Sequence, residues 1–318
     1  MAKPLPMTPR SLLFRKGLVC AGAVALLGCL AAGWLAHQRS LHTPDENGMY
    51  QQQGYWVQYH GPLDERSVNN FSAKLTQLSQ DLLTPDNQCY WAIVPDKAHY
   101  LPDEGWPRLD YDAMTAQVQA QLPQSFVHID LTGSLSLGSY YKTDPHWRQE
   151  TLQPVLDTLG DAMGFSATLE GWQPQVVPDF IGTASWYVKI EPGQENLVYL
   201  TSTFTEQAQV HHAVLEDTTV YTPEKLTGKN PYDVFLSGTT PFVTIQNPDA
   251  STDRELVIFR DSFASSLAPL LCQTYRTITL IDLRYMVSGL VPQYITFTNQ
   301  DVLFLYSMPV VNQSAMLR

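Results

Sequence analysis
Apolar and polar positions along this chain follow two rhythms in turn. From Asp64 to Leu83 the apolar residues Phe71, Leu75, Leu78 and Leu82 fall three or four apart, the spacing that lays one stripe along a helix. Cys89 to Val94 (CYWAIV) is an unbroken apolar run closed by Pro95, as expected of a strand buried on both faces. By the same reading Tyr55 to Tyr59 is a strand, Tyr111 to Leu122 a second helix, Phe126 to Leu131 a strand and Trp147 to Met163 a third helix. Between about 165 and 253 helical periodicity gives way to Thr, Val, Tyr, Pro and Gly. Short strands are predicted there at Ser185 to Ile190, Leu197 to Phe204 and His211 to Leu215, so 165–253 reads as a β-rich insertion. The alternation resumes with a strand at Glu255 to Phe259, a helix from Ala264 and strands at Thr277 to Ile281 and Val302 to Tyr306. Strands alternating with helices predict an α/β fold, a mostly parallel sheet covered by helices.

The N-terminus changes the picture of where this domain works. Lys3, Arg10, Arg15 and Lys16 precede a stretch, 17–36, without a charged residue. About twenty apolar residues can span a bilayer. Positive charge before the span predicts the N-terminus inside and everything after Ala36 outside. The expected organisation is a cytoplasmic tail and anchor at 1–40, a polar linker at 41–54 and an ectodomain at 55–318. A cleaved signal peptide, or a lipoprotein processed at Leu26-Leu27-Gly28-Cys29, are the competing readings of the same stretch. Five of the 19 basic residues lie in the first forty positions, which hold no acid, so the remaining 14 face 31 acidic residues. Such an acidic ectodomain has no basic stripe to neutralise phosphates, which argues against nucleic acid as a partner. Cys89 and Cys272, both in core-like segments, read as free thiols rather than a disulfide.

Two short segments carry the candidate chemistry. Thr143-Asp144-Pro145-His146-Trp147 lies in a polar loop, where Asp144 and His146, two residues apart in extended chain, can address one pocket. Arg260-Asp261-Ser262-Phe263 joins a strand to a helix, the sharp turn on which a nucleophilic serine is exposed. Both segments follow carboxyl ends of predicted strands, the edge at which open α/β sheets bind ligands. A serine hydroxyl needs a base within hydrogen-bond reach, and an acid that orients that base. Backbone N–H groups at the start of the Ala264 helix, that of Ser262 included, are candidates for the developing oxyanion, and Asp261 reads as a cap of that helix. A zinc site built on Asp144 and His146 with His211 and His212 is the alternative. No His-x3-His pair or Cys cluster supports it, so no metal is expected and the two neighbouring histidines read as a solvated strand. Tyr140, Tyr141, Trp147, Trp172 and Trp186 are either sugar-stacking or packing residues.

The string YYKTDPHW (140–147), with VPDK (94–97) before it and IFRDSFASSLAPLL (258–271) and IDLRYM (281–286) after it, resembles the DHHW proteins. These are bacterial extracytoplasmic proteins grouped with SGNH-hydrolase-like domains that O-acetylate polysaccharides, alginate among them. The resemblance covers nearly the whole ectodomain and implies a three-layer α/β/α fold. Position by position it implies Ser262 as nucleophile, His146 as general base and Asp144 as its orienting partner, with Gly182 and Arg284 as oxyanion or positioning residues. It also implies no cofactor, a polysaccharide acceptor, a membrane-bound O-acyltransferase partner that delivers acetyl groups, and a single-pass protein of the cell membrane. An acetyl esterase using the same chemistry, or an anchored scaffold without turnover, are the other functions such a fold serves. The chain departs from the family pattern at Arg260, where Gly or Lys is usual, and at Leu236-Ser237-Gly238-Thr239-Thr240, which lacks an Asn after the glycine.

Overall fold
The computed structural model describes residues 42–318, so the expected span at 17–36 and the tail before it lie outside the described residues. Among the described residues no helix is long and apolar enough to cross a membrane. Two compact units divide them. In the smaller, His42 stacks on Trp106 with ring centroids 4.7 Å apart. The larger, 45–102 with 108–318, holds everything that follows.

Its strands are β1 (Met49–Gln52), β2 (Tyr55–Gln58), β3 (Gln88–Val94), β4 (Phe126–His128), β5 (Gln173–Val177), β6 (Leu197–Thr201), β7 (Gln209–His212), β8 (Phe242–Gln246), β9 (Glu255–Arg260), β10 (Thr277–Ile281) and β11 (Asp301–Ser307). The α-helices are α1 (Glu65–Leu82), α2 (Tyr111–Gln119), α3 (Gln153–Met163), α4 (Thr203–Gln207), α5 (Ala264–Leu271) and α6 (Met308–Asn312). Seven strands form one sheet in the order β4-β3-β11-β9-β10-β8-β7. The first five run parallel and β8 and β7 complete one edge antiparallel, while β1-β2 and β5-β6 are separate hairpins.

Alternation of side chains across the strands explains the three layers. Tyr90, Ala92 and Val94 of β3, Leu256 and Ile258 of β9, and Leu303 and Leu305 of β11 share one core with α3 and α5. Trp91, Ile93, Val257, Phe259, Val302 and Phe304 face the opposite core, against α1 and α2. Both faces of the central strands are thus covered, which is why they read as unbroken apolar runs. The helix α1 begins where Asp64 caps the Arg66 and Ser67 amides at 3.0 and 3.1 Å, and it buries Phe71, Leu75 and Leu78 as its spacing predicts.

Four expectations change. The stretch 165–253 is not a separate β insertion: β7 and β8 extend the main sheet, and β5-β6 is the only separate hairpin in it among the described residues. Ser185 to Ile190 is not a strand, because Tyr187 and Val188 both donate to the Ala184 carbonyl and tighten Thr183–Trp186 into a 3-10 turn. The expected linker contains β1, paired with β2, so folded structure begins before residue 55. The third helix starts only at Gln153; before it lies a 3-10 turn, Gln149–Thr151.

Candidate active site
The carboxyl ends of β3, β9, β10 and β11 lie side by side in the sheet and release, in turn, Asp96 and Lys97, Ser262, Arg284 and Ser307. All of these line one cavity of about 250 Å³, together with Asp144 and His146 from the loop after β4. Within it the two predicted segments meet. His146 Nε2 lies 2.7 Å from Ser262 Oγ and Nδ1 lies 2.5 Å from Asp144 Oδ1. An ionised carboxylate only accepts, so Nδ1 carries the hydrogen and Nε2 is left to accept from the serine hydroxyl. The imidazole is held flat against Tyr232, with centroids 3.9 Å apart and planes 9° apart, and at its other contact by Phe263 at 4.8 Å.

Asp144 is fully enclosed, and each oxygen has defined donors. Oδ1 accepts from the His146 amide at 3.1 Å as well as from the ring, and Oδ2 accepts from the Thr183 amide at 2.9 Å and its hydroxyl at 3.0 Å. Burial pushes this carboxyl up, but the charge and hydrogen bond of His146, with the Thr183 and His146 amides, outweigh it and hold it at about 2. The carboxylate is therefore ionised at any pH near neutrality.

The surrounding bonds explain why these residue types recur in two tight strings. Trp147 is fully buried and its indole N–H donates to the Phe263 carbonyl at 3.1 Å and to Ser266 Oγ at 2.8 Å, which ties the histidine loop to the serine helix. Gln149 adds a bond to the Ser266 carbonyl at 2.7 Å. Asp261 is more than the helix cap expected. One oxygen accepts from the Phe263 amide at 3.1 Å, while the other takes the Ser307 amide and hydroxyl, both at 2.7 Å, and so fastens the serine turn to the end of β11.

The oxyanion candidates are sorted by what their donors already do. The Phe263 and Ala264 amides bond Asp261, and the Ser265 amide bonds the Ser262 carbonyl. Of the expected amides at the helix start, only that of Ser262 has no acceptor among the described residues. Gly182 is not an oxyanion donor: its N–H is spent on Thr143 Oγ1 at 2.9 Å, and it does not line the cavity. Arg284 does line it, with its guanidinium held by the buried Asp282 at 2.9 and 2.7 Å. The unusual Arg260 is wholly buried beneath the serine turn, 3.8 Å from Asp282 and 3.2 Å from Ser265 Oγ. Residues 236–240 are not among those lining this cavity.

Other predicted positions fall outside this constellation. His211 pairs with Asp217 at 2.8 Å on an open face, whereas His212 is buried rather than solvated and bonds Thr218 at 3.0 Å and Thr240 at 3.3 Å. Among the described residues no cluster of His, Cys, Asp or Glu could hold a metal ion. Cys89 and Cys272 are unpaired thiols. Tyr140, Tyr141, Trp147 and Trp172 are buried packing residues, and of the five aromatics only Trp186, 49% exposed, faces solvent.

Sequence reasoning missed Thr183, Tyr232 and the side chains that grip the Asp144 loop. Lys97 Nζ, 3% exposed as a residue, donates to the carbonyls of Tyr141, Lys142 and Asp144 at 2.9, 3.4 and 2.8 Å. Glu195 accepts from the Lys142 and Thr143 amides at 2.5 and 2.8 Å and from the Thr143 hydroxyl at 2.6 Å. Burial pulls the Lys97 ammonium down to about 8, against the opposing pull of Asp96, Asp144 and Glu195. Lys97 stood in the VPDK string, though with no role given to it; Glu195, in a polar loop, offered no signal.

No protein-family model and no curated protein matches this sequence. Solved structures do share its fold. A DHHW family protein from Eubacterium siraeum aligns with a TM-score of 0.68 at 17% identity, over 84% of this chain and 93% of that one. PatB1 of Bacillus cereus aligns at 0.65 and 18%, over 83% and 96%, and the same protein carrying a sulfonyl adduct at 0.64 and 17%, over 83% and 95%. The likeness is one of fold, and it includes the family whose motifs the sequence resembles.

Proposed function
We propose that this chain is an extracytoplasmic acyl-transfer enzyme, an O-acetyltransferase that carries an acetyl group on Ser262 and passes it to a hydroxyl of a cell-surface or secreted polysaccharide. The observation that carries this reading is the unbroken relay from Ser262 through His146 to the ionised Asp144, opening on a cavity. The motif resemblance and the shared fold support it.

In the first half-reaction His146 Nε2 takes the Ser262 proton as Oγ attacks the acyl carbonyl, and Asp144 stabilises the imidazolium that forms. The Ser262 amide faces no competing acceptor and receives the oxyanion; one such donor is worth about 3 kcal/mol. Collapse expels the donor's leaving group, which takes the proton from His146, and leaves acyl-Ser262. In the second half-reaction the acceptor hydroxyl gives its proton to His146 and attacks the ester, and Ser262 recovers its hydrogen. The stacked Tyr232 ring and the Phe263 ring keep the imidazole in one plane through both steps.

On this reading the stretch 17–36 anchors the chain in the cell membrane with its N-terminus inside, and a membrane-embedded O-acyltransferase supplies acetyl groups from across the bilayer. The test is incubation of the purified protein with p-nitrophenyl acetate and intact-mass analysis. One acetyl group appears on Ser262 and is lost in Ser262→Ala and His146→Ala. A sulfonyl fluoride is the second probe, given the sulfonyl adduct of PatB1. An unmodified wild-type protein, or equal acetylation of Ser262→Ala, refutes the proposal. Release of the acyl group to glycan rather than to water then separates transferase from esterase.

A further inference from the structure
The grip on the Asp144 loop has an order that packing alone does not require. The peptide unit joining Tyr141 to Lys142 gives its carbonyl to Lys97 and its N–H to Glu195. The next unit, Lys142 to Thr143, also gives its N–H to Glu195, at 2.8 Å, while its carbonyl accepts the Trp56 amide at 2.8 Å and lies 3.4 Å from Lys97 Nζ. Two successive peptide dipoles therefore lie between a buried cation at their oxygen ends and a carboxylate at their hydrogen ends. Both planes are thus held at both ends, the second with the help of the Trp56 amide. An ammonium has three donors, and the third goes to the carbonyl of Asp144 itself at 2.8 Å. Glu195 also takes the Thr143 hydroxyl, whose oxygen in turn accepts the Gly182 amide next to Thr183, the donor to Asp144 Oδ2.

Burying a lysine costs free energy unless its hydrogens are all used, and here they are used on the backbone of the acid that orients the catalytic base. We infer that Lys97 and Glu195 act as a charge clamp across two peptide units, positioning Asp144 and through it His146 for attack by Ser262. The inference rests on the acyl-serine reading above. Neither residue touches the reacting atoms; both are positioning residues.

The test uses the full chain with Lys97→Met, which keeps the stem and removes the donors, and Glu195→Gln, which removes the charge and leaves one of the two accepting oxygens. Two readouts are taken: kcat and KM for acylation of Ser262 by p-nitrophenyl acetate, and the low-field proton resonance of His146 Nδ1–H. A displacement of about 1 Å at a reacting group costs roughly 100-fold in rate. Lys97→Met is expected to lose about that factor in kcat with KM within about two-fold, and to shift or lose the resonance; Glu195→Gln loses roughly ten-fold. If Lys97→Met does not fold, Glu195→Gln decides by the same two measurements. A folded variant that acylates at the wild-type rate, or keeps the resonance unmoved, overturns the clamp. Wild-type protein that never acylates overturns the underlying reading instead, and the resonance alone then judges the clamp.

Discussion
Gly182→Ala isolates a steric requirement at a residue to which the family resemblance gave an oxyanion or positioning role. A methyl built on Gly182 would lie 2.5 Å from the Thr143 carbonyl oxygen and 2.7 Å from Asp144 Cα, with Asp144 Cβ closer still. Carbon atoms pack at about 3.5–4.0 Å, so the methyl needs roughly 1 Å that is not there. None of these obstacles can rotate away, since each is backbone or the first carbon of a side chain. The glycine's own conformation, φ −82° and ψ −174°, is ordinary extended chain that alanine adopts freely, so the cost arises from contact and not from dihedral strain. Overpacking of this kind costs about 1–3 kcal/mol, a fall of a few degrees in Tm. Displacing Asp144 by about 1 Å costs about 100-fold in rate, equal to nearly 3 kcal/mol in the barrier. Acylation should therefore fall further than stability. Thermal melts and stopped-flow acylation by p-nitrophenyl acetate measure the two, and a variant that acylates within a factor of three or so of wild type, at an unchanged Tm, refutes the reasoning.

Two further outcomes follow from the same geometry. Asp144→Asn should lower acylation by about 10⁴-fold, because an amide can hold the wrong imidazole tautomer. It should also change acid stability: Asp144 sits at about 2 when folded against an ordinary 3.8, so its contribution, about 2 kcal/mol, is present above pH 4 or so and is lost as pH falls through 2. Urea unfolding at pH 6 and pH 2 should show the gap between wild type and variant closing at the lower pH; a gap independent of pH contradicts the assignment. Trp147→Phe keeps one aromatic ring but removes the N–H that bonds the Phe263 carbonyl and Ser266 Oγ together with part of the buried indole, so it should cost at least about 1–3 kcal/mol in urea titration, and no measurable loss would show those bonds to be dispensable.

What was legible in the chain was what lies in contiguous strings. Asp144 and His146 are two residues apart and Ser262 sits between an apolar strand and a helix, so local pattern alone brought them to one rim. The central strands were legible because burial on both faces leaves no polar position to confuse the period. The antiparallel side was less so: β7, of which only the end was expected, and β8 carry exposed or half-buried polar residues such as Gln209 and Thr244, and the registers of β8 on β10 and of β7 on β8 are long-range facts. Ser185 to Ile190 has the residues of a strand, yet the need of Thr183 to reach Asp144 turns the chain there. Glu195, Tyr232 and Thr183 escaped notice for one reason, that each reaches the Asp144–His146 loop from 39 or more residues away in sequence.

An interior strand of the sheet, β11, is the last strand described, and it separates β3 from β9. Until residues 301–307 are available, the two halves that carry His146 and Ser262 have no strand between them, and β3 and β9 each present an open apolar edge. Such edges are templates for wrong pairing. Insertion of β11 closes both at once, and the Ser307 bonds to Asp261 set the serine turn in the same event. Folding is thus forced to wait for the end of the ladder, a high-contact-order step expected to be slow. The constellation of Ser262, His146 and Asp144 is thus complete only once the last described strand is in place.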